Sequence, residues 1–489
     1  MPLRTQSSLD VNDAELQQIS SESGKLVTEY MTTISARQVR AENHAGKTLA
    51  AIDTELSSEG RPLDQLLAEC RKVMDLSRHN GHPRFFGYVA SPSTPIGAYG
   101  DLIASALNAN ITCWRSGPAG TEIERMIVRW LGALIGYDPK SKGLLTSGGS
   151  MANMIALMIA HRRKSLVNAS CRGLWNTSPM TIYASEEVHM SIPKAADILG
   201  FGRDYVRTIA CDERQRVRVD LLRQQIETDL QKELRPFCIV GSAGTVNTGV
   251  VDPLNELADV AAEFDLWFHV DGAYGAPGSL DEGKKPLFAG LERANSVSLD
   301  PHKWLYVPVD AGCLLFRNDA AARAAFSTAE ADYIKTHGYS DDEAFAFWDY
   351  GVELSRRFRA LKVWLTLQYY GSRRIAQAIS EDIALAAYLG ELVSKADDFE
   401  LLAPVELSIC CFRYVPRGGM SDQELDQLNE KIMETVQKGG RAYLSNATVN
   451  GKFALRACIT NFRTTKADID ETVAAVREAG KTLAADSHG

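Results

Sequence analysis

The stretch 296–305, SVSLDPHKWL, decides how the chain is read. A short strand-like run (Ser296, Val297, Ser298, Leu299) stops at Asp300 and Pro301, and a lysine follows at once, flanked by His302 and Trp304. Apolar residues resume at 311–316, AGCLLF, as the next strand. A lysine in a tight connection between two buried strands is cut off from bulk water. Burial disfavours its charged form, and a neutral amine attacks aldehydes. Lys303 is therefore a candidate Schiff-base lysine.

Working outward, 181–184, 237–241 and 266–270 read as further strands with helical stretches between them, such as 253–264. That alternation predicts an α/β domain, a mostly parallel sheet with helices on both faces. In such sheets chemistry collects beyond the carboxyl ends of the strands. Residues before about 84 are helical in pattern, with helices expected over 22–40 and 62–78, and the Pro/Ser-rich run 91–95 closes the segment. Strand candidates at 408–414 and 453–460 among helices suggest a smaller C-terminal α/β unit. The expected division is a helical segment 1–93 packing on a partner subunit, a large domain 94–374 and a small domain 375–489.

The 489 residues are 45% hydrophobic with net charge −9, and no basic block suits nucleic acid or an anionic membrane. Nine irregularly spaced cysteines without a CxxC pair argue for reduced thiols rather than a disulfide framework or zinc site. The N-terminal sequence has no signal-peptide core, and the longest apolar run, 154–160, is too short to span a bilayer. A soluble cytoplasmic protein with a small ligand is expected.

Three more motifs fall on the same sheet edge. Thr146-Ser147-Gly148-Gly149-Ser150 leads into a helix, where glycines and a helix N-terminus suit a phosphate, although a plain cap has the same look. His269-Val270-Asp271-Gly272-Ala273 ends a strand in an acid that is costly to bury unpaired. A protonated pyridine nitrogen would pair with it, and Ala273 leaves room for a flat ring; a helix cap or a metal pair with His269 are the plainer alternatives. His189, past the strand at 181–184, could stack on a ring, or be structural. A phosphate cradle, a ring-facing carboxylate and a buried lysine are together what pyridoxal phosphate requires. The P-loop-like GSLDEGK at 278–284 is set aside, because Lys285 stands where Ser or Thr should hold magnesium.

SLDPHKW, HVDGAYG, SGGSMAN, VHMSIPKAADILG, GTVNTGVVDP and RRFRALKVWL together resemble the group II pyridoxal-phosphate decarboxylases, and most nearly their aromatic-L-amino-acid decarboxylases. The likeness extends from HPRFFGYV to LRACITNFRTT. It implies an aspartate-aminotransferase-like fold (fold type I) with a seven-stranded sheet, and a homodimer with active sites at the interface. It also implies that Lys303 holds the cofactor, Asp271 pairs with the ring nitrogen, His189 stacks on the ring and Ala273 lies under it. Gly149, Ser150 and His302 would lie near the phosphate, with Thr245 lining the cofactor. In the family a loop from the partner subunit carries a tyrosine over the site, and the matching stretch 332–335 nominates Tyr333. The implied substrate is an aromatic L-amino acid such as tyrosine, dihydroxyphenylalanine or tryptophan, released as its amine. The substrate pocket is expected at Tyr88, Val89, Asn110 and Thr112; at Asn80, Val89, Asn110 and Thr112 this chain has less bulky apolar surface than aromatic-specific members, which leaves a smaller or acidic, glutamate- or diaminobutyrate-like substrate open. A decarboxylating aldehyde synthase is the nearest rival, against which Tyr333 and His189 both stand. A catalytically silent scaffold is disfavoured by the intact Lys303, Asp271 and His189.

Overall fold

Strands of this chain that are buried along their whole length need cover on both faces. Met180–Ser185 (β2), Trp267–Asp271 (β5), Ser296–Leu299 (β6) and Gly312–Phe316 (β7) are of this kind. With Lys142–Thr146 (β1), Val206–Ile209 (β3) and Arg235–Ser242 (β4) they form a seven-stranded sheet of order β1-β7-β6-β5-β4-β2-β3. The computed structural model describes residues 9–486 apart from 42–44, 57, 167, 176, 328–339 and 341. Strands β2 to β6 run parallel, and β7 is antiparallel to both its neighbours. The expected mostly parallel α/β sheet is present. Strands β1 and β3 escaped the sequence reading: β1 opens on Lys-Gly, and β3 is a four-residue edge strand, half-exposed for most of its length.

A second, antiparallel sheet of order β10-β11-β9-β8 is built from Phe399–Leu401 (β8), Ile409–Tyr414 (β9), Ser445–Val449 (β10) and Lys452–Cys458 (β11). It has its own core, in which Phe412, Leu455, Ile432 and Val476 are buried. The helix Arg359–Lys395 serves both cores and breaks at Gly371, whose φ of 69° falls in the left-handed region that a side chain resists.

The first helix, expected over 22–40, instead spans Asp13–Thr33. The Asn12 side chain accepts from Glu15 N at 3.0 Å, and Asp13 and Glu15 add favourable charge in the first turn. It ends early because the following backbone pairs elsewhere: Val39 N donates to Gly440 O, and Arg40 bridges Arg78. Residues 85 and 86 also pack on the chain's own second unit, Phe86 N donating to Tyr443 O and Phe86 O accepting from Cys458 N. Within RRFRALKVWL, Arg356 is structural: it meets Glu124 at 2.5 Å and donates to the carbonyls of Ile111 and Leu145, tying β1 to its covering helix.

The loop after β6 is anchored from behind. Trp304 Nε1 (2.9 Å) and Tyr306 OH (2.7 Å) both donate to Asp382 Oδ2, on the long helix. Burial pushes the Asp382 carboxyl up to about 7, and these donors offset only part of the rise. An acid held above its unfolded value of about 3.9 adds stability that is complete below that value and is lost as pH rises through about 7. Asp382→Asn should therefore flatten the fall in stability between about pH 4 and pH 7, by at most about 4 kcal/mol. Thermal melts of both proteins across that range check it, and parallel pH profiles would exclude it.

Candidate active site

Parallel register brings Ser242, Asp271 and Ser298 side by side at the carboxyl ends of β4, β5 and β6. The chain then turns at Asp300, whose N–H donates to Ala273 O and whose carbonyl accepts from Lys303 N. Lys303 Nζ lies 3.0 Å from Asp300 Oδ2. Burial pulls the Lys303 ammonium down, but the carboxylates of Asp300 and Asp271 outweigh it, and the net direction is upward. This corrects the sequence argument: before it meets a carbonyl partner, the buried lysine is charged, because two acids face it. Burial would likewise push Asp271 up, and the charge of Lys303 with nearby imidazoles and N–H donors reverses that, so Asp271 is ionised. Its Oδ1 accepts from Ala273 N and Ser298 Oγ, each at 3.1 Å, and its Oδ2 from Asn153 Nδ2 at 2.8 Å.

The helix Gly149–Lys164 starts opposite with no side-chain cap; Met151 N already donates to Gly148 O, so the N–H groups of Gly149 and Ser150 are the ones an anion would meet. A Cβ on Gly149 would meet Ala273 Cβ at 2.8 Å and Asp300 Oδ2 at 3.0 Å, so only glycine lets this turn approach the lysine loop. One cavity of about 520 Å³ joins these parts, lined among others by Gly149, Ser150, His189, Asp271, Ala273 and Lys303. Thr245 and His302 also line it. His189 and His302 are both held below the usual imidazole range, chiefly by burial.

A model of the pyridoxal-dependent decarboxylase conserved domain matches residues 46–415. The chain belongs to the pyridoxal-dependent decarboxylase family. An aromatic-L-amino-acid decarboxylase of Bacillus atrophaeus is 34% identical, over 94% of each chain. A cysteine sulfinic acid decarboxylase of Mus musculus is 32% identical over 88% of this chain and 89% of its own. The crystal structure of Oryza sativa TDC with PLP and tryptamine superposes with a TM-score of 0.91 at 26% identity, covering 98% of this chain and all of that one. As a family member the protein is a pyridoxal-phosphate-dependent amino acid decarboxylase of fold type I. The residues present fit that cofactor: an uncapped helix for its phosphate, an ionised acid for its ring nitrogen and an amine for its aldehyde.

In this decarboxylase Tyr88 and Val89 line the same cavity as Lys303. Asn110 and Thr112 do not; they line a separate depression with Phe345 and Trp348. The Asn80 side chain accepts from Arg78 Nε instead, and Tyr333 lies outside the described residues. Sequence reasoning missed Asn153, Asp300 and Arg456. Arg456 reaches the cavity from β11; its Nη1 donates to Tyr88 O and Ser445 Oγ, while its buried Nη2 has no hydrogen-bond partner among the described residues. All three stand inside motifs quoted above, but nothing local marks them as site residues. Among the described residues no cluster of His, Cys, Asp and Glu could hold a metal ion, and no helix is long and apolar enough to cross a membrane.

Proposed function

We propose that this chain decarboxylates an aromatic L-amino acid to its amine at the cavity between Lys303 and Asp271. The observation that carries the reading is that a charged lysine and an ionised aspartate face one cavity opposite an uncapped helix start. Pyridoxal phosphate, when bound, supplies an electron sink for the pair left behind as carbon dioxide departs. Lys303, with Asp300 Oδ2 3.0 Å from its Nζ, would hold the cofactor covalently at its aldehyde carbon, the aldehyde oxygen leaving as water. Asp271 would hold the ring nitrogen in its protonated form by its negative charge. The first turn at Gly149 and Ser150, with His302 and Thr245 nearby, orients the phosphate. His189 and Ala273, which both line the cavity, would flank the ring. Arg456, which lines the cavity, is the guanidinium that would hold a substrate carboxylate. Fixing that carboxylate selects which bond at Cα breaks.

Tyr88 supports an aromatic substrate, since its ring lies at the cavity under the Arg78 guanidinium, 4.8 Å from the centroid. A smaller or acidic substrate is supported by the polar wall of Asn247, Ser445, Asn446 and Arg456. An amine-release screen of the purified protein with cofactor decides, against the twenty amino acids plus dihydroxyphenylalanine and diaminobutyrate. Release from aspartate, glutamate or diaminobutyrate but from no aromatic amino acid overturns the aromatic reading.

A homodimer is part of this proposal. Tyr99, Leu102, Ile103 and Leu107 leave one face of the helix Pro95–Leu107 apolar and exposed, a face that a second copy would cover. The depression holding Asn110 and Thr112 would then belong to the active site of the partner subunit. Sedimentation equilibrium should return twice the chain mass. Tyr333 is proposed to pass the proton to Cα that completes the amine. In Tyr333→Phe, amine formation should fall by roughly 10²-fold or more, with aldehyde, ammonia and hydrogen peroxide appearing. Undiminished amine release without aldehyde would remove the tyrosine from the mechanism.

A further inference from the structure

One buried hydrogen-bonded chain runs from the core of the sheet to the cavity wall. Trp267 Nε1 donates to Ser296 Oγ (2.9 Å), which lies 2.9 Å from His269 Nδ1. His269 Nε2 is 3.0 Å from Asn153 Oδ1. Asn153 Nδ2 donates both to Asp271 Oδ2 (2.8 Å) and to Ser191 Oγ (2.9 Å), and Ser191 Oγ lies 2.8 Å from His189 Nδ1. Trp267, Ser296, His269, Asn153 and Ser191 are each at most 2% exposed, so water cannot replace any of these partners.

Two members have no choice of direction. An indole N–H only donates, and an ionised carboxylate only accepts. Asn153 must therefore turn its NH₂ towards Asp271, which points its carbonyl at His269 and requires the proton of His269 on Nε2. Ser296 accepts from Trp267 and passes its own hydrogen to His269 Nδ1. That is the neutral ring, and burial holds His269 at about 4. On the other branch Ser191 accepts from Asn153, so its hydroxyl hydrogen goes to His189 Nδ1, which also receives the Ser191 backbone N–H at 3.2 Å. With two donors on Nδ1, the neutral His189 carries its proton on Nε2. This occupancy of His269 also leaves no lone pair for the metal pairing that the HVD spacing had allowed.

We propose that His269 and Asn153 are positioning residues: His269 holds the Asn153 amide, and that single amide both anchors the Asp271 carboxylate and fixes the tautomer of His189. The inference rests on the roles given to Asp271 and His189 above. Without the Nε2 donor the Asn153 carbonyl loses its partner, and the amide, held on one side only, is free to shift away from Asp271 Oδ2 and Ser191 Oγ. Either the acid then takes up a proton or it moves, and in both cases it no longer matches a protonated ring nitrogen.

The test compares His269→Gln, His269→Asn, Asn153→Ala and Asp271→Asn with the wild-type holoenzyme. A glutamine amide reaches where Nε2 stands and keeps the donor; an asparagine amide reaches only Nδ1. The readouts are the dissociation constant of pyridoxal phosphate from the resolved enzyme, the visible absorption band of the bound cofactor, and kcat and KM separately. Partners that fix the tautomer of a site group cost about 10- to 100-fold when removed, so His269→Asn and Asn153→Ala should weaken the cofactor and lower kcat by that much, with KM within about threefold. His269→Gln should stay within about threefold of wild type on every readout. If His269→Gln falls as far as His269→Asn, packing rather than the donor matters and the inference is overturned. It is also overturned if His269→Asn keeps the wild-type affinity, band and kcat while Asp271→Asn loses them. Should Asp271→Asn itself be silent, the reading of the site fails instead, and this inference with it. The His269 pair decides even where Asn153→Ala does not fold.

Discussion

Replacing Lys303 with alanine should stop turnover and abolish covalent attachment of the cofactor. In the wild-type holoenzyme, borohydride reduction followed by peptide mapping should place the label on Lys303, and in Lys303→Ala no peptide should carry it. Decarboxylation should fall by roughly 10²- to 10⁴-fold, the range for a group that moves a proton at the reacting centre, with the lost covalent step added to it. Lys303→Arg separates charge from bond. It keeps a cation beside Asp300, 3.0 Å away in the parent side chain, but cannot form the linkage, so it should fail as alanine does. Turnover within tenfold of wild type in either variant, or a label on another lysine, would refute the assignment.

Asp271→Asn should be nearly as damaging while leaving the linkage at Lys303 intact. The side chain keeps its size and can keep the bonds to Ala273 N and Ser298 Oγ, but sets an NH₂ against Asn153 Nδ2, so the loss combines the charge with one hydrogen bond. Opposite unit charges about 4 Å apart interact by about 4 kcal/mol at an effective dielectric of 20, which corresponds to roughly 10³-fold in rate. Asp271→Glu retains the charge and should recover part of the loss. Burial would protonate this acid were it alone; Lys303 and the surrounding N–H donors keep it ionised. A pair of variants in which glutamate is no better than asparagine would show that shape, not charge, is what the position requires.

Sequence and structure divide along the range of the forces involved. Lys303, Asp271 and His189 could be found in the sequence because each ends or succeeds a buried apolar run, and parallel strands carry the residues at their carboxyl ends to one edge. The Gly148-Gly149 helix start was legible for the same local reason. Those signals span only a few residues, and side-chain burial and backbone freedom act at that distance. The charge on Lys303 was not legible: its sign depends on whether burial or the facing carboxylates prevail, and that balance is set by separations of about 3 Å that no spacing reveals. The start of the first helix depended on Asn12, and its end on pairing with residue 440, beyond the reach of helical periodicity. Asn153 bonds Asp271 across 118 positions of sequence, and Arg456 enters the cavity from the second sheet. The amino-acid sequence by itself marked the buried inner strands, the turns after them and the candidate groups at their ends. Only the tertiary structure decided which charges face one another and which polar side chains are left to orient them, because Coulomb and hydrogen-bond energies depend on distances that exist only once the sheet has closed.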